Sequence, residues 1–468
     1  MYIAHRLASA KPALVLISVT SSLLVLTGCA GNHGRSSPKP VIQVSAFSHV
    51  DSPEAVRPEA NQPWWTGLAT PELDGLISAA LKNNQTLAAA LARLEQAEAS
   101  YNRSRANQGP TLDAKVKADR DVKAETHRLN RIEYGLTASW ELDFFGRLEN
   151  TKRARGADLQ SKKYSLEAAR LALTATLADA YFGVIEQRLL LQRLAQQEKT
   201  AINYVSIIQS RYDQGLISKV DLLQQQSQLA EIRSLVPDAE SNLRTQENLV
   251  STLVGSSPGT THPAITDPAF PALPPLPSIG QPDELLKKRP DLRGLQADLM
   301  AADADIGRAI SDRLPRLVFG MDAVRVAGRS TEDGLVTLTG SLVQPLLDWG
   351  ARRADVSRAR GVFSERLALY SQTYLDGVYE VENNVYRESR QKNLLIILDE
   401  RRQLLQQSFD QAQQRYVAGL TDYLPVLTAV QQLYTVEQRL IREQRRLVCF
   451  RIALHRALGG PVQSADSP

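Results

Sequence analysis

Two periodicities alternate along the chain. Residues 71–108 are rich in Ala, Leu, Glu, Gln and Arg and set Leu73, Leu76, Ile77, Ala80 and Leu81 at helical spacing. This predicts an amphipathic helix that Gly109-Pro110 ends. The period then falls to two. Leu112, Ala114, Val116 and Ala118 alternate with Asp113, Lys115, Lys117 and Asp119. After a polar loop, Ile132, Tyr134, Leu136, Ala138, Trp140 and Leu142 alternate with Glu133, Gly135, Thr137, Ser139 and Glu141. Two strands of about ten residues, apolar on one face and polar on the other, suit a membrane-barrel hairpin. A soluble antiparallel sheet with one wet face is the other reading. From Leu148 to Tyr212 the helical period returns for about 65 residues, roughly 100 Å if unbroken. Gly215 suits a reversal, since glycine tolerates left-handed backbone, and a helix from Ser218 to Val254 should run back.

The same series then recurs. At an offset of 205, Asn84-Gln85-Thr86-Leu87 aligns with Arg289-Pro290-Asp291-Leu292, and Pro110 and Leu112 with Pro315 and Leu317. Arg153-Ala154-Arg155-Gly156 likewise aligns with Arg358-Ala359-Arg360-Gly361, Tyr181 with Tyr386 and Gly255 with Gly460. At 204, Arg211-Tyr212-x-x-Gly215-Leu216 aligns with Arg415-Tyr416-x-x-Gly419-Leu420. One unit therefore occurs twice, in residues 67–255 and 283–460, with a tail at 461–468. The second copy predicts strands through Leu317, Phe319, Met321 and Ala323 and through Val336, Leu338, Gly340 and Leu342, with Val324 and Val326 off pattern. It also predicts helices from Ala351 to Tyr416 and from Thr421 to Leu458. Residues 256–282 join the copies and carry eight prolines, which favour extended chain. The fold class is thus mainly α with a β-barrel portion. Four strands cannot close a barrel alone, because open edges leave backbone groups unpaired in lipid, so closure demands oligomerisation.

The ends change this picture. His5, Arg6 and Lys11 precede an apolar run, Ala13 to Leu26, too short to span a membrane and of signal-peptide length. It leads into Leu26-Thr27-Gly28-Cys29, a lipobox-like site. Residues 1–28 are then a signal peptide, Cys29 is the acylated residue, and 29–66 form a lipid-anchored segment. Cys449 is the only other cysteine, so no intramolecular disulfide is expected and a packing role is preferred.

Composition mainly excludes. The net charge of +4 is small and its basic residues are interleaved with acids, which argues against nucleic acid. After residue 29 no run of 18 apolar residues predicts a membrane helix. The six histidines lack metal-ligand spacing, and no CxxC, HExxH or phosphate loop occurs. Gly255-Ser256-Ser257-Pro258-Gly259 fits GxSxG, yet a helix precedes it and prolines follow, the wrong setting for a nucleophile elbow. No catalytic, cofactor or metal residue is assigned, and the chain is expected not to be an enzyme.

Six motifs stand out along the chain: Pro63-Trp64-Trp65, Trp140-Glu141-Leu142-Asp143-Phe144-Phe145-Gly146-Arg147 and Leu285-Leu286-Lys287-Lys288-Arg289-Pro290-Asp291-Leu292, then Ala301-Ala302-Asp303-Ala304-Asp305-Ile306-Gly307, Asp348-Trp349-Gly350-Ala351-Arg352 and Arg415-Tyr416-x-x-Gly419-Leu420-Thr421-Asp422-Tyr423-Leu424. Together they resemble motifs of the outer-membrane efflux proteins, the TolC-like and OprM-like channels, particularly their lipid-anchored members. The resemblance implies a homotrimer with a twelve-stranded barrel in outer-membrane lipid. It also implies a periplasmic helical tunnel with a mixed equatorial belt at the Pro-rich joint, meeting a periplasmic adaptor protein and an inner-membrane pump. Drugs, toxic small molecules or metal ions would pass outward. Ala30, after the cysteine, implies export to the outer membrane. The gate would lie at the turns around Gly215 and Gly419, with Leu424 as an apolar constriction. Pro425 and Thr428 stand where such channels often carry acids, so Asp221 and Asp422 are the nearby charges, open also to a plain turn role. A type I secretion duct, a passive porin and a coiled-coil lipoprotein are the alternatives.

Overall fold

A computed structural model describes residues 39–48, 63–68, 71–119, 131–260, 268–327 and 333–461. Cys29, the expected signal segment, residues 261–267 of the joint and both strand-connecting loops lie outside the described residues. In chain order the elements are α1 (Pro71–Asn83), α2 (Gln85–Ala106), β1 (Thr111–Asp119), β2 (Arg131–Leu142), α3 (Arg147–Asp213) and α4 (Lys219–Val254). The short α5 (Leu285–Lys288) opens the second series, followed by α6 (Pro290–Ser311), β3 (Arg316–Ala327), β4 (Asp333–Val343), α7 (Ala351–Val417) and α8 (Leu424–Ala457). The expected single helix over 71–108 is broken at Asn84. Its side-chain Oδ1 accepts the Leu87 N–H at 3.0 Å and its amide donates to the Leu253 carbonyl at 2.9 Å. A residue able to cap a new helix and tie it to α4 outcompetes continuation. In the second copy Pro290 opens α6 at the equivalent place, as a ring without an N–H allows.

The chain divides into two compact units, one of residues 95–161 with 295–369 and the other of 40–94, 162–294 and 370–468. The first holds one antiparallel sheet in the order β1-β2-β3-β4. Its register sets Leu112 opposite Ala138, Ala138 opposite Met321 and Met321 opposite Leu338. Each row of this face is matched in parity across all four strands, as a strict period of two requires. β3 continues through Val324 and Val326, which face the polar side with Gly135, Leu335 and Glu133. At the strand base Arg147 holds Glu141 in a bidentate pair at 2.8 and 2.7 Å. Ser311 Oγ donates to the Phe145 carbonyl at 2.7 Å, closing α6 onto the turn before α3.

The second unit is helical. Its main core gathers Trp64, Leu68, Leu73, Ile77, Leu177, Tyr181, Phe182, Ile185, Val250 and Ile452, all essentially buried. A stretch of α3 is apolar enough in length and composition to cross a membrane, yet 67% of it is buried within the chain, as expected of a core helix. The Pro-rich joint is anchored by Arg451, which is fully buried. Its guanidinium pairs with Glu388 at 2.6 and 2.9 Å and donates to the carbonyls of Pro274 at 2.7 Å and Pro275 at 3.2 Å. Proline carbonyls have no strand or helix partner here, so a buried fork of donors satisfies them. Residues 41–48 run along α7. The Val41 and Val44 N–H groups donate to Ser371 Oγ and Tyr374 Oη, and Ser48 N–H to Glu382.

Two alignments shift by a residue. A Cβ on Gly255 would meet the Asn83 carbonyl at 2.4 Å, and one on Gly459 the Lys288 carbonyl at 2.5 Å. Gly459, not Gly460, therefore matches Gly255. Tyr181 is buried while Tyr386 is half exposed, and Val385 occupies the buried position. An offset of 204 thus already holds in mid-helix.

Candidate functional site

Two reversals in the second unit bring the ends of α3, α4, α7 and α8 into one cluster. Gly215 and Gly419 adopt φ of 72° and 69°, which a Cβ would strain, and each closes its helix through its own N–H, to Tyr212 and Tyr416 carbonyls. Between the helix ends Ile208, Leu222, Leu398, Phe409, Tyr416, Tyr423, Val426, Leu427 and Leu433 share a core. Tyr423 is its centre. It donates its hydroxyl to Gln225 Oε1 and stacks edge-on against Tyr416 at 5.2 Å, whose ring lies 4.6 Å from the Arg211 guanidinium. Burial pushes the Tyr423 phenol up, so it stays a donor. Behind it a ladder of amides links the repeats: Gln431 to Gln228 at 2.6 Å, Gln438 to Gln197 at 3.1 Å and Gln197 to Glu437 at 3.0 Å.

The two turns differ in chemistry. Ser218 caps α4, and Asp221 completes a capping box, accepting the Ser218 N–H at 3.1 Å and hydroxyl at 2.8 Å while its own N–H reaches Ser218 Oγ at 3.3 Å. Asp221 is thus engaged locally. In the second copy Pro425 stands at the same place in the first turn, and Tyr423 caps α8 without a side-chain bond. Asp422 is exposed and makes no hydrogen bond or ion pair among the described residues. Leu424 and its equivalent Val220 are both exposed in the single chain, as are Leu216 and Leu420. Sequence reasoning singled out Leu424 and passed over Val220 and the Tyr423–Gln225 bond; the 204 offset is the signal that would have found Val220.

No group of three or more His, Cys, Asp or Glu able to hold a metal occurs among the described residues. Cys449 donates its thiol to Asp179 at 2.9 Å, and burial together with that carboxylate raises it to about 12, which keeps it protonated and unreactive. Among the described residues neither face of the first unit's sheet is covered, and β1 and β4 are its open edges.

A family profile described as outer membrane efflux protein matches residues 76–256 and 281–460. The chain is 28% identical over 460 residues to the pyoverdine export outer membrane protein OpmQ of Pseudomonas putida, covering 92% of this chain and 94% of that protein. It is 25% identical to the cation efflux system protein CusC of Escherichia coli K12, covering 93% and 97%. Among solved structures it superposes on the outer-membrane channel OprN with a TM-score of 0.85, at 25% identity over 92% of this chain and 99% of that one. With the open-state MtrE outer membrane channel of Neisseria gonorrhoeae the TM-score is 0.83 at 22% identity, covering 92% and 98%.

Proposed function

Because the chain belongs to the outer membrane efflux protein family, whose members are channels and not enzymes, we propose that it is the lipid-anchored exit duct of a tripartite efflux pump. Three copies close one barrel, an adaptor and an inner-membrane pump engage the helical end, and small toxic compounds or metal ions pass through. The observation that carries this reading is the sheet itself. Its apolar face runs in register across four strands whose two edges stay unpaired, a state that lipid does not tolerate.

The repeat supports the way the edges close. Within one chain the first copy meets the second through β2 with β3 and through Asn150 of α3 against Gly307 of α6, and Ala301 and Ala304 of α6 are buried. The equivalent Gln96 and Ala99 of α2 are exposed, as is most of the start of α7, together with Leu346, Leu347 and Trp349. The second copy of one chain and the first copy of the next would repeat the internal seam. Carrying the β2–β3 register over by the repeat offsets sets Leu342 opposite the partner's Val116 and Gly340 opposite the partner's Ala118. Cysteines at positions 116 and 342 of one chain should cross-link purified protein into a closed three-chain species, while either alone should not. A two-chain limit or no cross-link would overturn the seam. Efflux itself is tested by deleting the gene and measuring sensitivity to dyes, detergents and metal salts; unchanged sensitivity to all of them would count against an efflux duct.

A further inference from the structure

One charge interrupts the apolar face of the sheet. Along β3 this face reads Leu317, Phe319, Met321, Ala323 and then Arg325. In its row Arg325 lies between Tyr134 and Gly334. A Cβ on Gly334 would sit 3.7 Å from the Arg325 stem, so the glycine leaves the stem room to cross β4. Arg325 is exposed and forms no ion pair among the described residues. Two to three rows nearer the strand base the same face opens into a slot of about 390 Å³. Ala138 and Gly340 leave it shallow-floored, and Trp140, Phe319, Met321 and Leu338 wall it. The Trp140 indole N–H donates to the Gln108 carbonyl at 3.0 Å, which fixes that wall.

The spacing has a meaning in a bilayer. Arg325 and Phe319 are six residues apart on one strand, ~20 Å at the rise of an antiparallel strand. At the tilt of membrane barrels this is about 15 Å of depth, half of a ~30 Å hydrocarbon core. Arginine on a lipid face is strongly disfavoured at the midplane and nearly neutral at an interface, so Arg325 belongs at the boundary and the slot toward the middle. Tyr134 beside it is a residue type enriched at that boundary. The loop end of β3 is opposite the end that leads into the helices, which makes this boundary the outer one.

We propose that each chain holds one resident lipid of the outer leaflet, its phosphate on Arg325 and one acyl chain running past Ala323 into the slot. A guanidinium fork matches two phosphate oxygens, and the slot offers an acyl chain a mostly apolar lining, with Ser139 and Thr339 its polar members. The proposal rests on the membrane-barrel reading. Native mass spectrometry of the full-length protein in detergent tests it, with added lipid A, phosphatidylglycerol or a neutral galactosyl diacylglycerol as probes. Heat-modifiable migration on gels scores the barrel separately, so a chain that forms no barrel fails there and not in the lipid measurement. Wild type should retain lipid A and phosphatidylglycerol several-fold over the galactolipid. Arg325→Gln should erase that preference, Arg325→Lys should keep part of it, and Gly340→Leu should reduce retention of all three. Equal retention of phosphate-bearing and neutral lipid by wild type, or no effect of Arg325→Gln or Gly340→Leu, would overturn the proposal. Retention of phosphatidylglycerol without lipid A would overturn the outer-leaflet assignment.

Discussion

Single residues at the turns separate packing from charge. Asp221 completes a cap, and Pro425 replaces it in the second copy, so the two turns share no acid at equivalent positions. They do share an apolar residue, Val220 or Leu424, exposed in one chain. Closure of the proposed gate is therefore expected to depend on apolar contact between copies. In planar bilayers Leu424→Ala should raise single-channel conductance strongly, and Asp221→Asn only slightly, since it weakens a cap worth about 1 kcal/mol. The reverse order would mean that charge holds the tip. His455 offers a second test at this scale. It is half-buried, stacked on Trp64 at 5.6 Å, and pushed down to about 4 by desolvation, with the Arg451 charge adding to the effect. The unfolded chain takes up this proton near pH 6.5 and the folded one only near 4, so stability falls as pH drops through that window. The loss is about 3 kcal/mol if the whole shift is realised. Denaturant midpoints should decline from pH 7 to 5 in wild type and stay flatter in His455→Phe. A parallel decline in both would assign the slope to other groups.

At the scale of elements, what the sequence made legible was whatever repeats with a period. The long helices begin and end within a few residues of expectation, because 67 residues of uninterrupted pattern admit little else. The strands follow from alternation, and even the off-pattern Val324 and Val326 stay in β3. Single-residue chemistry was illegible, since it depends on what arrives from far along the chain. Asn84 breaks a helix because α4 ends beside it, and Arg451 looks like any helix arginine until Glu388 and the joint surround it. The prolines of the joint favour extended chain, yet nothing local said what would hold it. Arg451→Met should cost about 3–5 kcal/mol, because the buried Glu388 loses its two-pronged partner and keeps only the more exposed Lys392 at 2.9 Å. Arg451→Met with Glu388→Leu should recover much of this loss. Thermal unfolding of the four proteins of that cycle measures the coupling; an additive cycle would mean that the pair does not hold the joint.

The whole molecule has two proposed attachments to one membrane, and they differ greatly in strength. A lipid on Cys29 contributes about 0.8 kcal/mol per buried methylene, enough for reversible binding by one chain and firm anchoring by several. A closed barrel has no comparable exit, since leaving lipid would expose its entire apolar face. The lipid is therefore expected to guide and tether, and the barrel to retain. The segment after it supports a tether, because residues 41–48 lie on α7 through three backbone donors and need no lipid to stay there. Intact mass of the purified mature protein should show a lipid increment on a chain beginning at Cys29. Cys29→Ser should lose the increment and yet remain in the outer-membrane fraction as a heat-modifiable oligomer once it is exported behind an ordinary signal peptide. An unmodified wild-type amino terminus at another residue would sink the anchor. A Cys29→Ser protein that assembles nowhere but in the soluble fraction would show that the lipid, and not the barrel, commits the chain to the membrane.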